Sequence, residues 1–222
     1  MELLAALAGS FFLYKTNATK ISKQLVLFLW ITFAVELIAA YAPIAYFSNF
    51  EYFTFVKDTP VENNKWLYNI YSLYSYVFLT YYFHQNLQNL KWKLILRIIL
   101  ITFTIAAIIN LIFSGVFYEA DAQFTLLTGT LILVMSIIMF YFELLQSDLL
   151  LQLKRILPMY ISVGVMVFSL CVTPVDIFSK YFSAENDSFV VLRNNVYLYT
   201  NIFMYTTFII GFIICSKKRT SY

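Results

Sequence analysis

Charge is scarce in this chain: Asp, Glu, Lys and Arg together make up 12% of its 222 residues, about half their share in a soluble domain. With 61% hydrophobic residues and a mean hydropathy of +0.76, the chain carries more apolar surface than a small water-soluble fold can hide. There is one histidine, His84, and one imidazole cannot by itself build the usual zinc site or catalytic triad. No Gly-x-Ser-x-Gly elbow, His-Glu-x-x-His helix or Gly-rich phosphate loop occurs, so hydrolysis and phosphoryl transfer have no visible machinery. The two cysteines, Cys171 and Cys215, fall in apolar runs where thiols act as small hydrophobes, and neither a disulfide nor a metal centre is expected. No cofactor is implied. The net charge of +3 is dispersed in short clusters, which argues against nucleic acid as a partner. Met-Glu-Leu-Leu at the start has no basic stretch before its apolar run, so no removable signal peptide is expected.

What the chain does have is long apolar runs. A helix needs about 20 apolar residues to cross roughly 30 Å of hydrocarbon, and isolated strands would leave their peptide groups unpaired in lipid. Seven candidate helices follow, at residues 3–14, 24–46, 66–83, 94–117, 124–145, 156–178 and 196–215. The first is short and must thin the bilayer locally or lie at its surface. The expected fold class is therefore all-α, a polytopic membrane helix bundle of seven transmembrane helices forming one domain over residues 1–222. Basic residues set the orientation, because short cytoplasmic loops collect them. Lys15, Lys20, Lys23, Lys91, Lys93, Arg97, Lys154, Arg155, Lys217, Lys218 and Arg219 alternate with connections holding only Lys57, Lys65, Lys180 and Arg193. The second set is mixed with acids, among them Glu51, Glu119, Asp121, Glu185 and Asp187. That pattern predicts an outside N-terminus and a cytoplasmic C-terminus. Trp66 and Trp92 fall at membrane faces, where indole rings anchor. Pro158 suits a helix start, whereas Pro43 and Pro174 should bend or end their helices.

Polar and small residues recur at helical spacing, giving each helix an expected inward face. Thr32, Glu36 and Ala40 form one stripe; Thr102, Ala106, Asn110 and Ser114 form another. Similar rows run through Thr125, Gly129 and Ser136, through Ser162, Ser169 and Asp176, and through Tyr197, Asn201 and Gly211. Close helix approach explains most such residues without a ligand. Glu36 stands apart, because a carboxylate at mid-bilayer depth costs several kcal/mol unless it is protonated, paired or wetted. Asn69, Asn110, Thr125, Asp176 and Asn201 fall in the outer halves of their helices and are expected to converge with Glu36 and Tyr71 on a candidate ligand-binding pocket, walled also by Tyr68 and Tyr197. On the cytoplasmic side His84 and Glu143 end their helices and are candidates to pair or to contact a partner protein. No catalytic residue is assigned.

Glu36, the Leu-Tyr-Asn-Ile-Tyr-Ser run at 67–72, Asn110 and Tyr-Phe-Glu-Leu-Leu at 141–145 occur in an order that resembles a group of small multi-pass inner-membrane proteins of Bacteroidota. The resemblance spans most of the chain and implies a bacterial cytoplasmic (inner) membrane; it implies no activity or substrate. The run 196–215 contains no lysine to hold retinal, and the Pro-Gln pair of small sugar transporters is missing, so neither of those seven-helix functions is expected. The leading expectation is a non-enzymatic sensor or accessory signalling subunit. It would sit in the lipid bilayer, take a small-molecule or lipid ligand from outside and engage a signalling protein partner. A small transporter or channel using Glu36 as a proton or cation site is the alternative.

Overall fold

The computed structural model describes residues 1–147, 153, 155–179 and 187–217, with Asp187 described by its backbone alone. Lys154, Lys180, Glu185, Lys218 and Arg219 lie outside the described residues. Every regular element among the described residues is helical: α1 (Glu2–Lys15), α2 (Lys20–Ala39), α3 (Tyr41–Phe47), α4 (Lys65–Asn86), α5 (Leu90–Phe113), α6 (Val116–Glu119), α7 (Gln123–Leu145), α8 (Leu157–Phe178) and α9 (Asp187–Cys215), with a 3₁₀ turn at Thr54–Val56 and 3₁₀ backbone at Leu153 and Arg155.

Local chemistry sets several of these boundaries. The Thr19 hydroxyl accepts from the Ser22 amide and starts α2, and the Asn89 side chain accepts from the Lys91 amide at 2.9 Å to start α5. Pro158 sits in the first turn of α8, where the missing N–H is harmless. Pro43 has no N–H to offer the Ala39 carbonyl; the Asn64 side-chain amide donates to that oxygen instead, at 3.2 Å. Here α2 gives way to α3, as expected of a proline, whereas α8 runs through Pro174 to Phe178. Gly115 takes φ 71° just past α5, a left-handed conformation that suits glycine, and so α5 stops at Phe113, short of the expected 117. In the opposite direction, α9 begins nine residues before the expected position 196.

Consecutive long helices run antiparallel. Around the bundle α1 packs on α2, α2 on α4, α4 on α7, α7 on α8, α8 on α9, and α9 back on α1, closing a ring. The remaining long helix, α5, sits outside that ring against α4 and α7. Its buried residues are Leu96, Phe103, Ala107 and Leu111, while Thr102 and Ser114 are exposed. The expected inward face of this helix is therefore corrected by about one residue: the apolar row packs, and the polar row lies on its flank.

Among the described residues five segments are long and apolar enough to cross a membrane: Lys20–Phe47, which joins α2 and α3, then Leu90–Phe113, Gln123–Leu145, Leu157–Phe178 and Ser188–Cys215. The other two expected runs fall short for different reasons. With 14 residues, α1 reaches only about 21 Å at 1.5 Å per residue. The 22 residues of α4 are enough in number, but they include six tyrosines and a polar face. Both nevertheless belong to the ring. The Trp30 indole donates to the Ser10 hydroxyl at 3.0 Å, and the rings of Phe12 and Phe212 meet at 5.6 Å, so α1 is fastened to both neighbours.

The end of the ring holding the α1 C-terminus is solid. Leu25, Leu29, Tyr82, Phe83, Ile137, Ile161 and Phe212 are almost wholly buried there, with Phe83 and Phe140 in ring contact at 5.8 Å. Close approach is built into the seams. A Cβ on Gly129 would lie 2.6 Å from the Tyr76 ring, and one on Gly164 would meet the Thr207 hydroxyl and sit 3.0 Å from the Met204 carbonyl.

Candidate functional site

The opposite half of the ring encloses a cavity of about 640 Å³, within the usual range for small-molecule sites. Its walls come from α2, α4, α7, α8 and α9, with Glu2 of α1 at the edge. Phe28, Leu79, Leu133, Val165 and Phe208 form its deepest level, and below them lies the packed core just described.

Two carboxylates occupy opposite walls, each beside a tyrosine. On the α2–α4 side the Tyr68 hydroxyl donates to Glu36 at 3.1 Å. On the α8–α9 side the Tyr197 hydroxyl donates to Asp176 at 2.5 Å. Neighbouring tyrosines are held by hydroxyl partners: Tyr71 and Thr32 are 2.8 Å apart, and Tyr76 and Thr130 are 2.9 Å apart. The phenol edges thus face the cavity in fixed positions, leaving little rotamer freedom to lose when something binds.

At the mouth Lys65 donates to Asp121 at 2.7 Å, and Arg193 reaches the other oxygen of the same carboxylate at 3.9 Å while its guanidinium lies 5.7 Å from the Tyr197 ring centroid. Above it the loop after α3 is pinned by Tyr41, whose hydroxyl donates to the Val61 carbonyl at 2.6 Å and accepts from the Trp66 indole at 3.0 Å. Trp66 therefore ties a loop as well as marking the helix start.

Glu36, Asn69, Tyr71, Asp176 and Asn201 all line this one cavity. Their roles differ. The Asn69 amide donates to the carbonyls of Phe117 at 3.1 Å and Ala120 at 2.9 Å, and its oxygen accepts from the Ala122 amide at 2.9 Å. Its polar atoms are taken up in fastening the α5–α7 connection to α4. Asn110 is not among the lining residues, because α5 stands outside the ring and cannot reach the interior. Thr125 is fully buried but also does not line the cavity.

His84 and Glu143 do not pair with each other. Glu143 accepts from the amides of Gln88 at 2.5 Å and Asn89 at 3.0 Å, closing the α4–α5 turn, and His84 stacks on Tyr81 at 6.2 Å between ring centroids. The carboxylate is thereby engaged within the chain. A negative group over free amides at a helix start is the charge pattern a helix dipole favours. Cys171 and Cys215 are both free thiols.

Sequence reasoning overlooked the mouth. Lys65, Asp121 and Arg193 read as ordinary loop charges, yet Arg193, Tyr197, Asn201, Met204 and Phe208 form a single helical row facing the cavity. Extending the α9 periodicity one turn upstream of 196 is the signal that finds Arg193.

No family model, curated protein or solved structure matches this chain. The site must be interpreted from its own chemistry. Among the described residues no group of three or more His, Cys, Asp or Glu side chains is placed to hold a metal ion. The arrangement is an apolar and aromatic enclosure with a few oriented polar groups, the general make-up of a binding site.

Proposed function

We propose that the protein is a seven-span protein of the bacterial inner membrane, with its N-terminus outside, its C-terminus in the cytoplasm and its cavity open to the outer side, and that it serves as a ligand-sensing or accessory signalling subunit. The observation that carries the sensing role is the blind cavity. Tyr71, Asp176 and Asn201 line it, but it ends at Phe28, Leu133 and Phe208, beneath which Phe83, Phe140 and Phe212 fill the ring. A pocket with one mouth and a solid floor suits occupancy better than passage. The α1 and α4 helices count as spans six and seven because each packs antiparallel to α2 and completes the ring. The antiparallel order gathers Lys15, Lys20, Lys91, Lys93, Arg155 and Lys217 at the floor end, which supports a cytoplasmic assignment for that end. A resemblance to small multi-pass proteins of Bacteroidota supports the same membrane.

A ligand shifts such a bundle only if it binds two packings with different affinity. The seams at Gly129 and Gly164 have room for no extra atom, so movement of the walls would be transmitted to the floor-end connections and to a signalling partner there. Reporter fusion after Lys217 tests the orientation: activity of a cytoplasmic reporter is expected, and activity of a periplasmic one overturns it. Reconstitution in liposomes tests sensing against transport. No solute flux is expected; pH-driven flux abolished by Glu36→Gln would replace the sensor with a transporter using Glu36.

A further inference from the structure

From the distribution of charge inside the cavity we infer that its ligand is an organic cation with an aromatic or apolar body, a deepening that rests on the binding role proposed above. Among the described residues four acidic side chains line the cavity, Glu2, Glu36, Asp121 and Asp176, against two basic ones, Lys65 and Arg193. Both cations converge on a single carboxylate, that of Asp121. Glu2 has the N-terminal ammonium at 3.2 Å. Glu36 and Asp176 make no salt bridge to any described residue, each having a tyrosine hydroxyl as its hydrogen-bond donor. A neutral hydroxyl satisfies one of the roughly four lone-pair positions of a carboxylate. Each of these two acids therefore keeps acceptor capacity for a positive group.

The walls around them suit the same chemistry. Phe28, Tyr68, Tyr71, Phe168 and Tyr205 present rings along the cavity, and ring faces attract ammonium groups most strongly when water is excluded. The side-chain oxygen of Gln123, a pure acceptor on the cavity wall, is buried without a hydrogen-bond partner. An anion would have to displace Asp121 from Lys65 and Arg193. A neutral lipid tail would leave Glu36 with no positive partner among the described residues in low dielectric.

Three probes of similar shape separate the possibilities: phenethylammonium, which has N–H donors, its uncharged carbon isostere propylbenzene, and 3-phenylpropanoate. Binding to the full chain in nanodiscs is read by saturation and by the shift in unfolding temperature. The cation is expected to bind at least tenfold more tightly than either isostere, and Glu36→Gln and Asp176→Asn are each expected to weaken it about tenfold. If either carboxylate variant fails to fold, the preference among the three probes on the unaltered chain decides the assignment alone. Preference for the uncharged or anionic probe overturns the cation assignment while leaving the pocket in place. Binding of none of the three overturns the cation assignment and removes the pocket reading with it. Equal cation binding by wild type and both carboxylate variants assigns the binding to the lipid and overturns the inference.

Discussion

In the half of the ring that holds Phe83 and Phe140, rings meet at 5.8 Å and side chains such as Phe212 and Ile161 have no exposed surface. In the other half the same six helices diverge around about 640 Å³, and Tyr68–Glu36 and Tyr197–Asp176 pairs stand where phenylalanines would otherwise interlock. One set of helices thus supplies a rigid base and a receptive cup. Lipid is as apolar as leucine, so neither half is held by the hydrophobic effect; tight packing holds the base, and oriented hydrogen bonds hold the cup. The lesson is that dense packing and the polar cavity are separated along the helix axes here, and substitutions should sort by level in the bundle more than by helix.

The largest separation should come from truncating a ring in the base. Phe83→Ala removes a fully buried side chain and leaves a cavity among Tyr82, Phe140 and their neighbours, a loss of about 3–5 kcal/mol by analogy with buried aromatic truncations. Phe168→Ala on the cup wall enlarges an existing cavity and is expected to cost about 1 kcal/mol or less. Unfolding titrations from mixed micelles into SDS give both numbers. Equal losses would break the distinction between base and cup.

Within the cup, the next largest effect is expected at Asn69, whose atoms hold the chain at Phe117, Ala120 and Ala122. Asn69→Ala leaves a buried amide and two carbonyls without that partner, a loss of about 2 kcal/mol. The same titration measures it, and limited proteolysis should begin cutting near Gly115. Asn201→Ala is expected to leave stability within about 0.5 kcal/mol. The two asparagines line one cavity and would be indistinguishable if both served only a ligand.

That contrast also marks what was legible in the sequence. Apolar run lengths dictate helices because lipid offers no partner for backbone groups, so most helix centres were readable, as was the convergence of Glu36, Tyr71, Asp176 and Asn201. Periodicity gave the right inward row on α7, where Thr125, Gly129, Ile132, Ser136 and Phe140 are all buried. It failed on α5 because small polar residues mark a close helix seam only where another helix is present. Outside the ring Thr102 can turn to its own backbone, donating to the Ile98 carbonyl at 3.0 Å. Asn69 was visible as polar, but whether its amide faced a ligand or a loop depended on a connection folded over it from residues 116–122, which no local pattern encodes. The start of α9 was missed because Arg193 and the charges near it resemble a loop; the helix accommodates Arg193 through Asp121, more than seventy residues away in sequence.

A smaller effect sharpens the boundary between the halves at the α8–α9 seam. Gly164 faces the Thr207 hydroxyl and the Met204 carbonyl so closely that Gly164→Ala must push the two helices apart. A loss of about 1.5 kcal/mol is expected in the SDS titration, in the range of modest overpacking. If the separation propagates to the cup, probe affinity should fall in the same variant. A stability loss with unchanged affinity would mean that base and cup respond independently at this seam, contrary to the transmission on which the proposed sensing role depends.

The smallest stability effect is expected at the mouth, where Lys65, Asp121 and Arg193 form a partly exposed network with side chains about a third accessible. Ion pairs of this exposure contribute about 0.2–1 kcal/mol, so Asp121→Asn should barely move the unfolding midpoint. Its effect on a charged ligand should be larger than its effect on the fold. The substitution removes one negative charge and leaves two cations at the entrance, which opposes approach of a third. Association of phenethylammonium should slow severalfold at low salt, and the difference should shrink as added salt shortens the Debye length toward about 8 Å at physiological ionic strength. Dissociation, governed by Glu36, Asp176 and the aromatic walls below, should change little. Stopped-flow binding at two salt concentrations separates these rates. A salt-independent change confined to dissociation would place Asp121 inside the binding site proper and move the boundary of the cup up to its rim.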